Sequence, residues 1–128
     1  MSESKQAPGV VKQSGAIEAK QVAAGTATQT QVLLGPGDGA PNFAMRRFVM
    51  GPGGGMPRHT NTVEHEQYVL RGSADVVIGG ETHQVRAGDV VYIPAGTPHS
   101  YEATSDEPFE FLCAVPNQPD TIELVEDC

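Results

Sequence analysis

Four histidines occur in this chain, and three of them, His59, His65 and His99, fall within two glycine-bounded segments. The first reads GGGMPRHTNTVEHEQYVLRG and the second GDVVYIPAGTPHSYEA. Neutral imidazole is the commonest metal-ligating side chain, so three such rings brought together could hold a transition-metal ion. Side chains alternate faces along an extended strand. If the first segment stays extended, His59, Asn61, Val63, His65, Gln67 and Val69 share one face, and Glu64, Glu66, Tyr68 and Leu70 share the other. One face then carries two imidazoles and an amide, while the carboxylates point away. His99 follows a proline-flanked turn at the end of a strand, from where it could join them across a sheet. His83 falls on a hairpin and reads as a surface residue. Spacing alone leaves a metal site and three unrelated histidines as open alternatives.

Other side chains bear on the same chemistry. In the stretch 109–115, Cys113 shares parity with Phe109, Phe111 and Val115, so it is expected to point into the interior. The preferred reading is a small buried hydrophobe; a cavity thiol could instead ligate a soft ion or be oxidised. Tyr92 and Tyr101 are placed near the mouth of the site, with no acid or base role assigned.

The elements that must carry these residues are short and extended. Gly and Pro together supply 25 of the 128 residues, too many for a helical bundle and suited to short strands joined by tight turns. Residues 26–34, 43–50, 59–70, 74–78, 82–85, 90–93 and 109–115 read as strands. Breaks are expected at GPGDGAPN, GPGGGMP, Gly79-Gly80, Gly88-Asp89 and PNQP. Residues 17–24 give only a weak signal, for a helical turn or irregular chain. Residues 1–16 are polar and read as a flexible N-terminal arm, followed by one domain over 17–128 with its core at about 30–116. An all-β barrel or sandwich follows.

Composition excludes several classes of function. Eight basic and sixteen acidic side chains give a net charge of −8, which repels nucleic acid and anionic membrane surfaces. Trp is absent, so there is little to stack on bases. No apolar stretch reaches the length of a membrane span, and the N-terminus lacks a secretory pattern. Cys113 and Cys128 do not make a disulfide framework. The expectation is a cytoplasmic protein with a small-molecule partner and no nucleic-acid or membrane partner.

The two histidine segments resemble the paired signature motifs of the cupin superfamily, G-x5-H-x-H-x3,4-E-x6-G and G-x5-P-x-G-x2-H-x3-N. Gly53, His59, Asn61, His65 and Gly72 fall on the first; Gly88, Pro94, Gly96, His99 and Ala103 fall on the second. The stretches GAPNFAMRRF, PGGG, EHEQYVLRG, GDVVYIPAGTPH and FLCAVP are similar to small stand-alone microbial cupins whose manganese sits on four histidines. The resemblance implies an all-β, single-domain cupin, a double-stranded β-helix or jelly-roll barrel, that assembles as a homodimer. It also implies one divalent transition metal, Mn or Fe first and Ni, Cu or Zn as alternatives, held by His59, His65, His99 and the residue at position 61.

This sequence departs from the pattern at Asn61, where the motif has histidine. Its amide oxygen could coordinate, its NH2 could donate to a bound ligand, or the site could bind metal poorly. Glu64 or Glu66 could substitute only if a bulge reversed their facing. Gln67, Cys113 and Tyr101 are the cavity residues expected around the ligands. Neutral ligands leave a divalent charge uncompensated, so an anionic oxygen ligand would be favoured. A dioxygenase-like, metal-dependent oxygenase acting on a small organic substrate is the leading expectation. A metal-dependent isomerase or lyase and a non-catalytic binding module are the alternatives.

Overall fold

The structure is a computed structural model and describes residues 8–125. Ten strands follow one another: β1 Lys20–Gln21, β2 Thr26–Leu34, β3 Phe43–Asn61, β4 His65–Arg71, β5 Ser73–Ile78, β6 Glu81–Arg86, β7 Val90–Ile93, β8 His99–Ala103, β9 Phe109–Pro116 and β10 Ile122–Leu124. All pairings are antiparallel, in the order β6-β5-β8-β3-β9-β4-β7, with β2 and β10 also on β3 and β1 on β2. The sheet curls on itself into a jelly-roll β-barrel, and its interior holds the core.

The largest departure from the sequence expectation is in β3. The run GPGGGMP does not end a strand; β3 continues through it for 19 residues. Its first half lies along β9, from Phe43 opposite Pro116 to Met50 opposite Phe109. Its second half lies along β8, with Gly55 opposite Glu102 and His59 opposite His99. The glycines let the chain bend between these partners. At Gly55 the backbone passes so close to the Tyr101 carbonyl that a side chain has no room. The stretch 59–70, expected as one strand, is interrupted at residues 62–64, yet the alternation survives. Positions 59, 61, 63, 65, 67 and 69 are buried, and 62, 64, 66, 68 and 70 are exposed. Strands β8 and β10 were not separated from their flanking turns in the sequence, both being short.

Phe109, Phe111, Met50, Ile93 and Val69 are almost fully buried. Phe111 stacks on Phe48 and on Tyr101 at centroid distances of 5.2 and 5.4 Å, which joins the core to the histidine face. The hairpin β5–β6 turns at Gly79-Gly80 as expected, with Ile78 opposite Glu81. Within the expected N-terminal arm, residues 1–7 lie outside the described set. The rest is largely exposed and meets the body through Lys12–Asp38 at 2.9 Å and through Gln31, whose amide donates to the Ser14 and Ile17 carbonyls. Cys128 also lies outside the described residues. No described helix is long and apolar enough to cross a membrane.

Candidate metal centre

Three strands converge on one cavity of about 140 Å³. The end of β3 supplies His59 and Asn61, β4 supplies His65 and Gln67, and β8 supplies His99 and Tyr101; all six are buried. His59 and His99 are direct cross-strand partners, with ring centroids 4.2 Å apart; His65 and His99 are 5.8 Å apart.

The far side of two rings is fixed by backbone. Nδ1 of His59 lies 2.7 Å from the Pro57 carbonyl oxygen, and Nδ1 of His99 lies 2.8 Å from that of Thr97. A carbonyl oxygen only accepts, so each Nδ1 carries the hydrogen and each Nε2 keeps a bare lone pair. His65 Nδ1 instead meets Cys113 Sγ at 3.3 Å. The Nε2 atoms of His65 and His99 are buried with no hydrogen-bond partner.

Asn61 adds a third unpaired atom to these two. Its Nδ2 donates to Asp120 Oδ2 at 3.1 Å, and Asp120 Oδ1 accepts from the Thr62 backbone N–H at 3.0 Å. A carboxylate accepts only, so the amide NH2 must face Asp120 and the amide oxygen the cavity. That Oδ1 is buried without a partner. Unsatisfied buried acceptors cost roughly 1–3 kcal/mol each unless a cation or donor meets them. Imidazole nitrogens with one amide oxygen suit a divalent transition metal.

The rings stand around a shared space without being drawn onto one point. Among the described residues no group of three or more His, Cys, Asp or Glu side chains closes to metal-holding distance. An imidazole bound at about 2.1 Å has its centroid roughly 3.2 Å from the ion, so two rings at a 90–110° angle have centroids about 4.5–5.2 Å apart. The two spacings found, 4.2 and 5.8 Å, fall on either side of that range.

The electrostatics favour neutral side chains. Burial pushes His65 and His99 down to about 4, with the Arg46 charge adding to the effect at His65. Burial raises the Tyr101 hydroxyl well above its usual range and the Cys113 thiol to about 11. Gln67 Nε2 donates to Tyr101 Oη at 2.7 Å, which leaves the tyrosine's own hydrogen free to donate into the cavity.

Some expected residues lie elsewhere. Tyr92 is exposed on β7, because alternation gives the inward position to Ile93. Tyr101 lies in the buried wall of the cavity and not at its mouth. Glu64 and Glu66 are exposed, with no bulge to turn them inward. Cys113 is fully buried behind His65. His83 is exposed on β6. Two residues escaped the sequence reading. Asp120 approaches Asn61 across 59 residues of chain, which no local pattern reveals. Arg46 lines the cavity, and its parity with Phe48 and Met50 was the available signal.

A family model described as the cupin domain matches residues 46–115. The quercetin 2,3-dioxygenase of Bacillus subtilis (strain 168) is 41% identical over 56 residues, covering 43% of this chain and 17% of that one. An uncharacterised protein of Methanocaldococcus jannaschii is 36% identical over 52 residues, covering 41% of this chain and 42% of its own. The matched stretch thus spans less than half the length of each of these curated relatives. Among solved structures, the polyketide cyclase RemF from Streptomyces resistomycificus superposes with a TM-score of 0.82 at 28% identity, covering 94% of this chain and 89% of that one. A predicted oxalate decarboxylase from Thermotoga maritima superposes with a TM-score of 0.74 at 23% identity, covering 84% and 98%; at that identity the likeness speaks for the fold.

Proposed function

Since this chain belongs to the cupin family, we propose that it is a metal-dependent enzyme of the dioxygenase-like kind, acting on a small organic substrate. One divalent transition ion, Mn or Fe before Ni, Cu or Zn, is held by His59, His65 and His99 through Nε2, with Asn61 Oδ1 as the fourth donor. The observation that carries this reading is the set of buried, unpartnered acceptors at His65, His99 and Asn61 around one cavity. When bound, such an ion supplies Lewis acidity and, for Mn or Fe, redox chemistry with dioxygen.

The chain's own residues do the rest. Pro57 and Thr97 hold two rings in the ligating tautomer, and Asp120 aims the amide oxygen. The apolar wall of Phe48, Met50 and Phe111 excludes water, and Tyr101 donates a hydrogen bond to a substrate oxygen. The stretch shared with the quercetin 2,3-dioxygenase favours the oxygenase reading over an isomerase or lyase.

A second reading, a binding module without turnover, is favoured by one observation. His65, His99, Tyr101 and Cys113 all stay in their neutral forms near pH 7, so none of them is poised to shuttle protons. Elemental analysis of protein purified without added metal, followed by oxygen-electrode assays with small enols, separates the readings. Metal-dependent oxygen uptake supports the enzyme; tight ligand binding with no uptake supports the module. Association of two copies is also part of the proposal. It draws on the exposed apolar side chains Tyr68, Leu70, Val90 and Tyr92 along β4 and the edge strand β7.

A further inference from the structure

Arg46 is the cavity side chain that the metal reading leaves without a task. It lies on β3 opposite Cys113 of β9, on the face it shares with Phe48 and Met50. The next residue, Arg47, provides the contrast. Arg47 Nε donates to the Glu110 carboxylate at 2.7 Å, and its Nη1 reaches Gln31 Oε1 at 3.4 Å. Arg46 Nε is buried with no hydrogen-bond partner. Among the described residues no carboxylate forms an ion pair with Arg46, in a chain that carries sixteen acidic side chains.

A guanidinium cannot shed its charge, so a donor buried in this way requires an acceptor from elsewhere. Of the groups nearest it, the Cys113 thiol across the strand hydrogen-bonds the Arg46 side chain, but a neutral thiol is a weak acceptor and leaves the charge unmatched. His65 is neutral and is pushed further from protonation by the Arg46 charge itself. Asp120 lines the outer groove that Arg46 also borders, but its oxygens face Asn61 and Thr62. The guanidinium carbon stands 5.6 Å from the Phe48 ring centroid, a contact that steadies its plane. Arg46 therefore stands between the histidine cavity and the groove leading to solvent.

We propose that Arg46 is a carboxylate-binding residue and that the cavity takes a small monocarboxylic acid. The carboxylate lies on the guanidinium, and a second oxygen of the acid, as a 2-oxo, 2-hydroxy or enol group, points toward His65 and His99. The placement of that second oxygen rests on the metal reading; the carboxylate site does not. A planar fork of N–H donors matches a carboxylate in two parallel hydrogen bonds, which a neutral amide cannot reproduce. The inner cavity, about 140 Å³, suits a small acid.

The probes are pyruvate and its neutral counterpart pyruvamide, titrated calorimetrically into metal-free and metal-loaded protein. Wild type should bind pyruvate at least tenfold more tightly than pyruvamide. Arg46→Gln should lose at least tenfold in pyruvate affinity while its affinity for pyruvamide changes less than twofold. Arg46→Lys, which keeps the charge without the fork, should fall between, and it carries the test should the glutamine variant not fold. The preference for pyruvate should persist, with weaker binding, in metal-free protein. Failure of metal loading therefore leaves the carboxylate site testable by itself. Equal affinity of wild type and both variants for pyruvate, or equal affinity of wild type for pyruvate and pyruvamide, overturns the proposal.

Discussion

The side-chain amide of Asn61 leans on Asp120 at 3.1 Å, and this contact decides which end of the amide faces the three imidazoles. A residue that departs from the family motif is thereby given a defined orientation, with its oxygen directed inward and unpaired. Ile122 of β10 lies opposite Asn61, so the same segment that carries Asp120 also closes the cavity beside it.

Removing the Asp120 carboxylate should therefore weaken metal binding without removing a ligand. Asp120→Ala frees the amide to rotate, and outer partners of metal ligands are typically worth about 10–100-fold in affinity. Asn61→His should act in the opposite direction, because an imidazole there can donate Nδ1–H to Asp120 and present Nε2. Chelator competition with Mn(II) or Zn(II) measures both. Tighter binding by Asp120→Ala, or weaker binding by Asn61→His, would mean that position 61 does not face the ion.

The direct ligands should show larger effects. His59→Ala and His99→Ala each remove one of two facing donors, and each should leave protein purified with less than about a tenth of the wild-type metal, in line with loss of a ligand from a three- or four-donor set. Elemental analysis of the purified variants gives the answer. Wild-type metal content in both would end the assignment of these rings as ligands.

How much of this was legible beforehand differs by residue. Alternation in 59–69 placed His59, Asn61, His65 and Gln67 on one buried face, because a period of two survives a short interruption between strands. The same rule placed Cys113 inward. Tyr92, placed near the mouth of the site, is instead exposed on β7, because alternation gives the inward place to Ile93. The glycine run was read as a break because flexibility and termination look alike in sequence. Only the pairing of β3 first with β9 and then with β8 shows that it is a bend. Asp120 and the isolation of Arg46 are facts of three-dimensional neighbourhood, set by chain segments far apart.

That bend makes a sharp distinction between two neighbouring glycines. A methyl group on Gly55 would strike the Tyr101 backbone carbonyl, whereas one on Gly53 meets nothing within 4 Å. Gly55→Ala should push β3 away from β8, separate His59 from His99, and cost at least about 3 kcal/mol or prevent folding, as steric conflict with buried backbone does. Gly53→Ala carries only the strain of its positive φ of 77° and should cost about 1 kcal/mol. Urea unfolding of the two variants distinguishes them, and equal losses would contradict the close approach of β3 to β8.

The low protonation range of His65 and His99 gives the metal-free protein a defined response to pH. In the unfolded chain each ring protonates near 6.5, whereas in the fold burial holds each to about 4. Between these values the unfolded state binds more protons, so stability falls as pH is lowered. The contribution is fully present above 6.5, is lost progressively down to about 4, and changes no further below that. A difference of about 2.5 pH units corresponds to roughly 3 kcal/mol per ring at most, and relaxation of the cavity reduces it. Urea midpoints of wild type at pH 7 and pH 4.5 should therefore differ by more than those of a His65→Gln, His99→Asn double variant, which keeps polarity without the titration. If the double variant lost as much stability over this interval as wild type, the two rings would have to be accessible to protons in the folded state, and the buried, neutral cavity described above would be wrong.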